Sequence, residues 1–290
     1  MPTESDLLDH IYRRSEGLGG GVVIGPGDDC ALVRGGGHAG TLLTVDQLVE
    51  HRHFLPGTGV DLIARKTVGR SVSDIAAMGG TPAWGLATGL LPAGCDFGDT
   101  LFDAMARWAD GWGCPLVGGD IAFHEGPLVL TVTVGGVPSG RVLKRGAAEP
   151  GDTVYVSGRL GGSLESGRHL AVEPRVELGR QLARDESVHA CIDLSDGLGR
   201  DAGRVAAASG VGIELEAERF PCHDGCDWSN ALADGEDYEL LFTASRPMPA
   251  SLAGVAITPV GCVTEDRGCR VLTPDDRVID ASDRGWDHGS

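Results

Sequence analysis

The chain has 290 residues, 24 basic and 42 acidic, for a formal net charge of −18, with 41% hydrophobic and 23% charged residues. At roughly 150 residues per domain this predicts two domains, or one large one, with ample length for a core, and argues against collagen, a coiled coil or a disulfide-stapled miniprotein. The acidic surplus argues against a nucleic-acid or anionic-membrane partner, because either needs a basic footprint to neutralise phosphates, and it leaves room for a site that gathers cations.

In chain order, a first helix carries Leu7, Leu8, Ile11 and Tyr12 on one face and stops at Gly17. Val22-Val23-Ile24 reads as a short strand, and Gly25-Pro26-Gly27-Asp28-Asp29 breaks it before a second apolar run, Cys30 to Val33. Thr41 to Val49 reads as a strand with Asp46 in its middle, and residues 61–78 as a helix closed by Gly79-Gly80-Thr81-Pro82. On that helix Lys66, Arg70 and Asp74 stand at i, i+4 and i+8 and share a face.

Residues 83–91 are strand-like, and 99–112 form an amphipathic helix whose tryptophans, Trp108 and Trp112, belong to the core. Two short strands follow, 115–119 with Asp120 at its end and 128–137. A Gly/Pro-rich stretch, 138–152, marks a domain boundary, giving an N-terminal domain over 1–138 and a C-terminal domain over 150–290. Beyond it, strands (153–157, 190–194, 238–243) alternate with helices (174–184, 197–209), an order that fits two α/β layers.

The N-terminus is acidic where a secretory signal needs positive charge, and no apolar stretch approaches about 18 residues, so a soluble cytoplasmic protein is expected. Eight cysteines without regular spacing are read as reduced thiols. Cys222-His223-x-x-Cys226 is the one cluster that could point to zinc, and it lacks a second pair at finger-like spacing.

A P-loop needs glycine before its lysine; Lys66 follows Arg65 and Lys144 follows Leu143, so no such loop exists. What stands out is acid at the expected breaks in the fold: Asp28, Asp29, Asp46, Asp74, Asp120, Asp193 and Asp196. Turns favour Asp for local reasons. Carboxylates that converge on one pocket are tolerable when hard cations such as Mg²⁺ neutralise them, and their number favours a metal site.

Six strings carry a specific resemblance: Gly27-Asp28-Asp29-Cys30-Ala31; Thr44-Val45-Asp46-Gln47-Leu48-Val49 with His53-Phe54; Ser73-Asp74-Ile75-Ala76-Ala77-Met78-Gly79; Gly118-Gly119-Asp120; Ile192-Asp193-Leu194-Ser195-Asp196-Gly197; and Gly235-Glu236-Asp237-Tyr238-Glu239-Leu240. Their order over nearly the whole chain resembles that of thiamine-monophosphate kinases. The resemblance implies the α/β fold shared with aminoimidazole-ribonucleotide synthetases: an N-terminal sheet domain that packs across a homodimer and a C-terminal α/β domain covering the nucleotide. It implies transfer of the ATP γ-phosphoryl to thiamine monophosphate, a reaction that must bring two polyanions together and is served by several Mg²⁺ ions.

Carried over position by position, the resemblance makes Asp29, Asp46, Asp74, Asp120, Asp193 and Asp196 metal ligands, with Asp28 and Thr44 beside them; Asp46 and Asp120 would hold the catalytic Mg²⁺. Gly119, Arg145 and Ser195, with Asp120, match nucleotide-contacting positions; His53, Glu236 and Trp286 match positions facing thiamine phosphate. His53 can also be read as a surface residue and Glu236 as a turn cap, and for Trp286 core and substrate roles stand equally open. The family's usual hydroxyl, Asn and Thr-Thr are replaced by Val45, Ser71 and Ile121-Ala122. Two alternatives therefore stay open, another ATP-dependent enzyme of the same fold and a non-catalytic Mg-nucleotide-binding dimer.

Overall fold

The structure, a computed structural model, describes residues 4–15, 17–34, 40–282 and 284–286. After α1 (Glu4–Arg14), the first half contains β1 (Val22–Ile24), β2 (Ala31–Val33), β3 (Thr41–Val49), α2 (Val60–Ala77), β4 (Gly80–Pro92), α3 (Gly98–Gly111), β5 (Leu116–His124) and β6 (Val129–Pro138). The second half contains β7 (Thr153–Ser157), α4 (Ser163–Ser166), α5 (Val176–Leu182), β8 (Val188–Asp193), α6 (Leu198–Ser209) and β9 (Gly212–Glu216). It closes with α7 (Trp228–Ala233), β10 (Leu240–Ala244), β11 (Ser251–Leu252), β12 (Val255–Thr264), β13 (Gly268–Leu272) and β14 (Val278–Asp280).

The first six strands form one sheet in the order β1-β2-β3-β6-β4-β5, antiparallel except for the β4–β5 pair, whose crossover is α3. In β3 the alternation Leu42, Thr44, Leu48 turns toward α2 while Val45 is exposed on the open face, as a strand half-covered by a helix requires. Helix α2 buries Ile63, Val68, Val72 and Ile75 against this sheet and α3. It ends at Met78, where Gly79 takes a left-handed φ of 71°.

The second sheet has eight strands in the order β14-β13-β9-β12-β7-β10-β8, with β11 paired to β12. Helix α5 crosses back onto α2. There a Cβ at Gly179 would lie 2.0 Å from the Ala76 carbonyl oxygen, so the contact between the halves requires a glycine. Helix α2 thereby stands between the two sheets, its site-bearing side turned to β8.

One expectation needs correction. The strand expected over 115–119 runs on as β5, so Asp120 sits mid-strand on a sheet edge. Asp74 lies inside α2 and Asp46 inside β3, leaving Asp28, Asp29, Asp193 and Asp196 as the acids at breaks in the chain. Chain order in regular elements, through packing of α2 on β3 and β8, assembles the acids as much as turns do.

Candidate active site

Asp29 comes from the loop before β2, Asp74 from the last turn of α2 and Asp193 from the end of β8. One carboxylate oxygen of each lies within 4.8 Å of the others. Asp29 Oδ2 is buried without a hydrogen-bond partner. Burial first, then Asp46, Asp193 and Asp29, push Asp74 well above the ordinary carboxylate range, and burial with Asp29 does the same to Asp193. Asp28 is raised to about 6 by burial and by Asp29. The Thr44 hydroxyl donates to Asp74 Oδ2, and Ser73 Oγ donates to Asp193 Oδ2 at 2.6 Å. An oxygen-only cluster with an orphaned buried acceptor, and with repulsion that Arg145, Thr44 and Ser73 offset only in part, fits a hard divalent cation such as Mg²⁺.

The neighbouring wall is organised by Lys66, which is fully buried. Its Nζ donates to Glu236 Oε2 at 2.7 Å and to the His53 carbonyl at 2.8 Å, and burial lowers its proton affinity to about 8. His53 in turn accepts the Val49 N–H on Nδ1 at 2.9 Å. Glu236 and Tyr238 adopt φ of 54° and 52°, held by N–H bonds to the Ser195 and Leu194 carbonyls. Non-glycine residues at positive φ are uncommon, and here two flank one site. One turn along α2, Arg70 donates from Nη1 to the Gln47 carbonyl at 3.1 Å, and its Nη2 is 3.6 Å from Asp46 Oδ1. Burial disfavours its charge, but Tyr238, Asp46, Glu236 and Asp74 outweigh that and hold the guanidinium protonated.

On the other side of the acids, Arg145 donates to Asp29 through Nε (3.2 Å) and Nη2, and its backbone N–H donates to Asp28. Arg145, Gly27, Arg200, Arg204 and Arg267 line a cleft of 1180 Å³. Asp201, buried in the first turns of α6, accepts the N–H groups of Ser195 and Asp196 at 3.1 and 3.0 Å. Burial raises Asp201 to about 7, with Arg204 opposing and Asp196 adding to the rise. Arg204 pairs with Asp196 and Asp201.

Of the sequence candidates, Asp28, Asp29, Thr44, Asp46, Asp74, Asp193 and Arg145 therefore gather in one place, with His53 and Glu236 joined through Lys66 beside them. Ser195 and Asp196 form an adjoining turn, which also receives the Trp286 N–H on the Asp196 carbonyl at 2.8 Å. Trp286 is 39% exposed. Gly119 and Asp120 are not brought in. The register sets Asp46 opposite Val132 and Ala87 on the covered face, whereas Asp120 pairs with Thr88 in the alternate row, on the open face. Three strand spacings of about 4.8 Å separate β3 from β5. Gly119 is needed for packing, since its Cβ would meet the Ala87 carbonyl at 1.8 Å. Cys222 and Cys226 are free thiols, and among the described residues neither joins a metal-capable group of three.

The family model for AIR synthase related protein, N-terminal domain, matches residues 27–137, and that for its C-terminal domain matches 149–284. A thiamine-monophosphate kinase of Rhodopirellula baltica is 34% identical over 99% of this chain and 97% of its own. The chain belongs to the thiamine-monophosphate kinases of the AIR synthase related family. The Salmonella typhimurium thiamine-monophosphate kinase is 32% identical over 98% of both chains. The solved complex of AaThiL with AMPPCP and TMP superposes with a TM-score of 0.85 at 30% identity, covering 99% of this chain and 97% of that one.

Within this family's pattern, the structure locates the departures. Ser71 donates to the Val132 carbonyl at 2.9 Å and is fully buried, a packing role in α2. Val45 and Ile121 are 60% and 54% exposed and stand outside the acid cluster. Lys66 and Arg70 are the site residues that motif matching missed; the signal for them was their spacing with Asp74 on one helix face.

Proposed function

We propose that this chain transfers the γ-phosphoryl group of ATP to thiamine monophosphate, giving thiamine diphosphate and ADP. The observation that carries this reading is the Asp29–Asp74–Asp193 cluster, flanked by Arg145 on one side and by the Lys66–Glu236–His53 wall on the other. The TMP and AMPPCP bound by the AaThiL relative support it. Asp29, Asp74 and Asp193, with Asp28, Thr44 and Asp46 beside them, would hold Mg²⁺, which screens the repulsion between the two phosphate groups.

The chain's own residues bind and orient. Arg145 offers a planar guanidinium at the mouth of the cleft, where Ser195 and its turn would meet the nucleotide. Lys66 fixes the Glu236 carboxylate by a buried ion pair, so that Glu236 presents a fixed negative charge to the thiazolium cation. His53 is fixed at Nδ1 by the Val49 N–H and bounds the acceptor's phosphate. Trp286 offers an exposed ring for stacking.

The reading includes a homodimer, with residues 1–138 carrying the dimer contact and the metal–nucleotide site and residues 150–290 covering it. Strand β5 is a sheet edge with Val117, Ile121 and Phe123 exposed, and Leu86 and Leu90 lie exposed on the open face beside it. Such an edge favours pairing with a second copy. Asp120 and Gly119, on the far strand of the sheet, would then serve a site only across that contact, and Asp196 would be freed for metal only by displacement of Arg204. A cytoplasmic place belongs to the same reading, because ATP is the proposed donor. The test is ADP release by purified protein with ATP and Mg²⁺: it should depend on thiamine monophosphate, and release independent of it would overturn the reading.

A further inference from the structure

Of the cations beside this site among the described residues, Lys66 and Arg145 are committed. Lys66 is fully buried and bonded to Glu236 and the His53 carbonyl, and Arg145 is bonded to Asp29 through two nitrogens. Arg70 differs. Its guanidinium has five N–H donors, yet among the described residues it makes one hydrogen bond, to the Gln47 carbonyl; the Asp46 carboxylate is at 3.6 Å, beyond a direct bond. Its Nε is buried with no hydrogen-bond partner. Its side chain keeps 12% exposure, and the carboxylates of Asp46, Glu236 and Asp74 act on its charge. A buried N–H without an acceptor is costly and calls for an explanation, and beside a cluster of site carboxylates an acceptor brought by a ligand is one.

We infer that Arg70 is a phosphate-binding residue of the acceptor subsite, donating its unspent N–H groups to the monophosphate of the acceptor. The inference rests on the proposed acceptor. Arg70 stands one turn from Lys66, which fixes the acceptor-side Glu236, and one turn from Asp74, where the metal cluster begins. A ligand with a cationic ring against Glu236 and its phosphate toward the acids must carry that phosphate past Arg70. A guanidinium there offers planar donors to phosphate oxygens and a charge that no change of pH near neutrality removes. The protein itself would thus supply part of the charge that offsets phosphate repulsion.

The experiment compares wild type with Arg70→Met, which keeps the stem and removes charge and donors, and with Arg70→Lys, which keeps charge but not the fork. Steady-state kinetics should show the KM for thiamine monophosphate raised about tenfold to a hundredfold in Arg70→Met, the loss of charge-assisted hydrogen bonds. Arg70→Lys should recover part of it, and KM for ATP should stay within about twofold. Thiamine, which lacks the phosphate, should inhibit wild type and Arg70→Met equally. An unchanged acceptor KM, or equal weakening of thiamine, would overturn the inference, the second outcome meaning that Arg70 only shapes the pocket. Calorimetric titration of inorganic phosphate into protein saturated with Mg-AMPPCP decides independently of the acceptor's identity. Binding to wild type that is lost in Arg70→Met supports Arg70, and binding that is absent or equal in both overturns it. A wild type that never phosphorylates thiamine monophosphate, yet shows the Arg70-dependent phosphate titration, overturns the functional reading and leaves the phosphate site standing.

Discussion

Lys66 Nζ and Glu236 Oε2, 170 positions apart in the chain, meet at 2.7 Å in the wall of the acid site. This one ion pair ties helix α2 of the first half to the strained 236–238 turn of the second. Removing one partner of such a pair leaves the other charge uncompensated. Glu236→Gln should raise KM for thiamine monophosphate while leaving Mg-ATP affinity nearly unchanged. An acceptor-saturation curve beside calorimetric ATP titration checks this, and loss of ATP affinity with an unchanged acceptor KM would place Glu236 on the nucleotide side.

Lys66 also sets a pH dependence of stability. Its proton affinity falls from an ordinary 10.5 to about 8 on folding, chiefly through burial. Below pH 8 both folded and unfolded chains hold the proton, and folding bears the cost of burying it. From about pH 8 to 10.5 the unfolded chain binds more protons than the folded one, so this group's contribution to stability rises with pH. Wild type should therefore gain on Lys66→Met across that window. Urea midpoints for both proteins at about pH 7 and about pH 9.5 test it; a constant difference would show that Lys66 does not titrate there.

The acid cluster trades stability for cation binding. Asp74→Asn removes one of three crowded carboxyl groups whose ionisation burial opposes, so the metal-free protein should melt higher than wild type at pH 7. Added Mg²⁺ should raise the melting temperature of wild type more than that of the variant. Turnover should fall by about two orders of magnitude or more, as removal of transition-state charge stabilisation does. Melting curves with and without Mg²⁺, beside an ADP assay, separate the two effects; equal Mg²⁺ shifts would remove Asp74 from the site.

Ser73 Oγ to Asp193 Oδ2, at 2.6 Å, bonds α2 to strand β8 of the C-terminal sheet, and both residues are buried. Ser73→Ala should cost about 1–3 kcal/mol by leaving a buried acceptor short of a donor. Urea unfolding monitored by circular dichroism measures it, and a change below about 0.5 kcal/mol would mean that water or a metal satisfies Asp193 instead.

The homodimer reading is tested at β5. Ile121→Asp places charge on an exposed apolar edge without touching the acids, so light scattering should change from a dimer to a monomer of about 30 kDa. Wild type already monomeric at micromolar concentration would contradict the reading.

Much of the fold was legible where apolar runs are dense. Thr41 to Val49 and the helix over 61–78 match β3 and α2 to within one residue. Strands β9 and β11–β14 were not seen, because segments such as Gly212–Glu216 alternate glycine and acid with apolar residues and depend on neighbours for pairing. The acid set was legible through its strings. The role of Lys66 was not, since a lysine on a helix face reads as solvated until the second half of the chain supplies Glu236. Asp120 shows the converse limit: its string is as clear as the others, but register parity turns it to the opposite face of the sheet from Asp46.

The most direct test of the account follows the phosphoryl group itself. Wild-type protein with γ-labelled ATP, Mg²⁺ and thiamine monophosphate should place the label in the terminal phosphate of thiamine diphosphate, one for each ADP formed. Label released as inorganic phosphate, or ADP formed at the same rate without the acceptor, would contradict it.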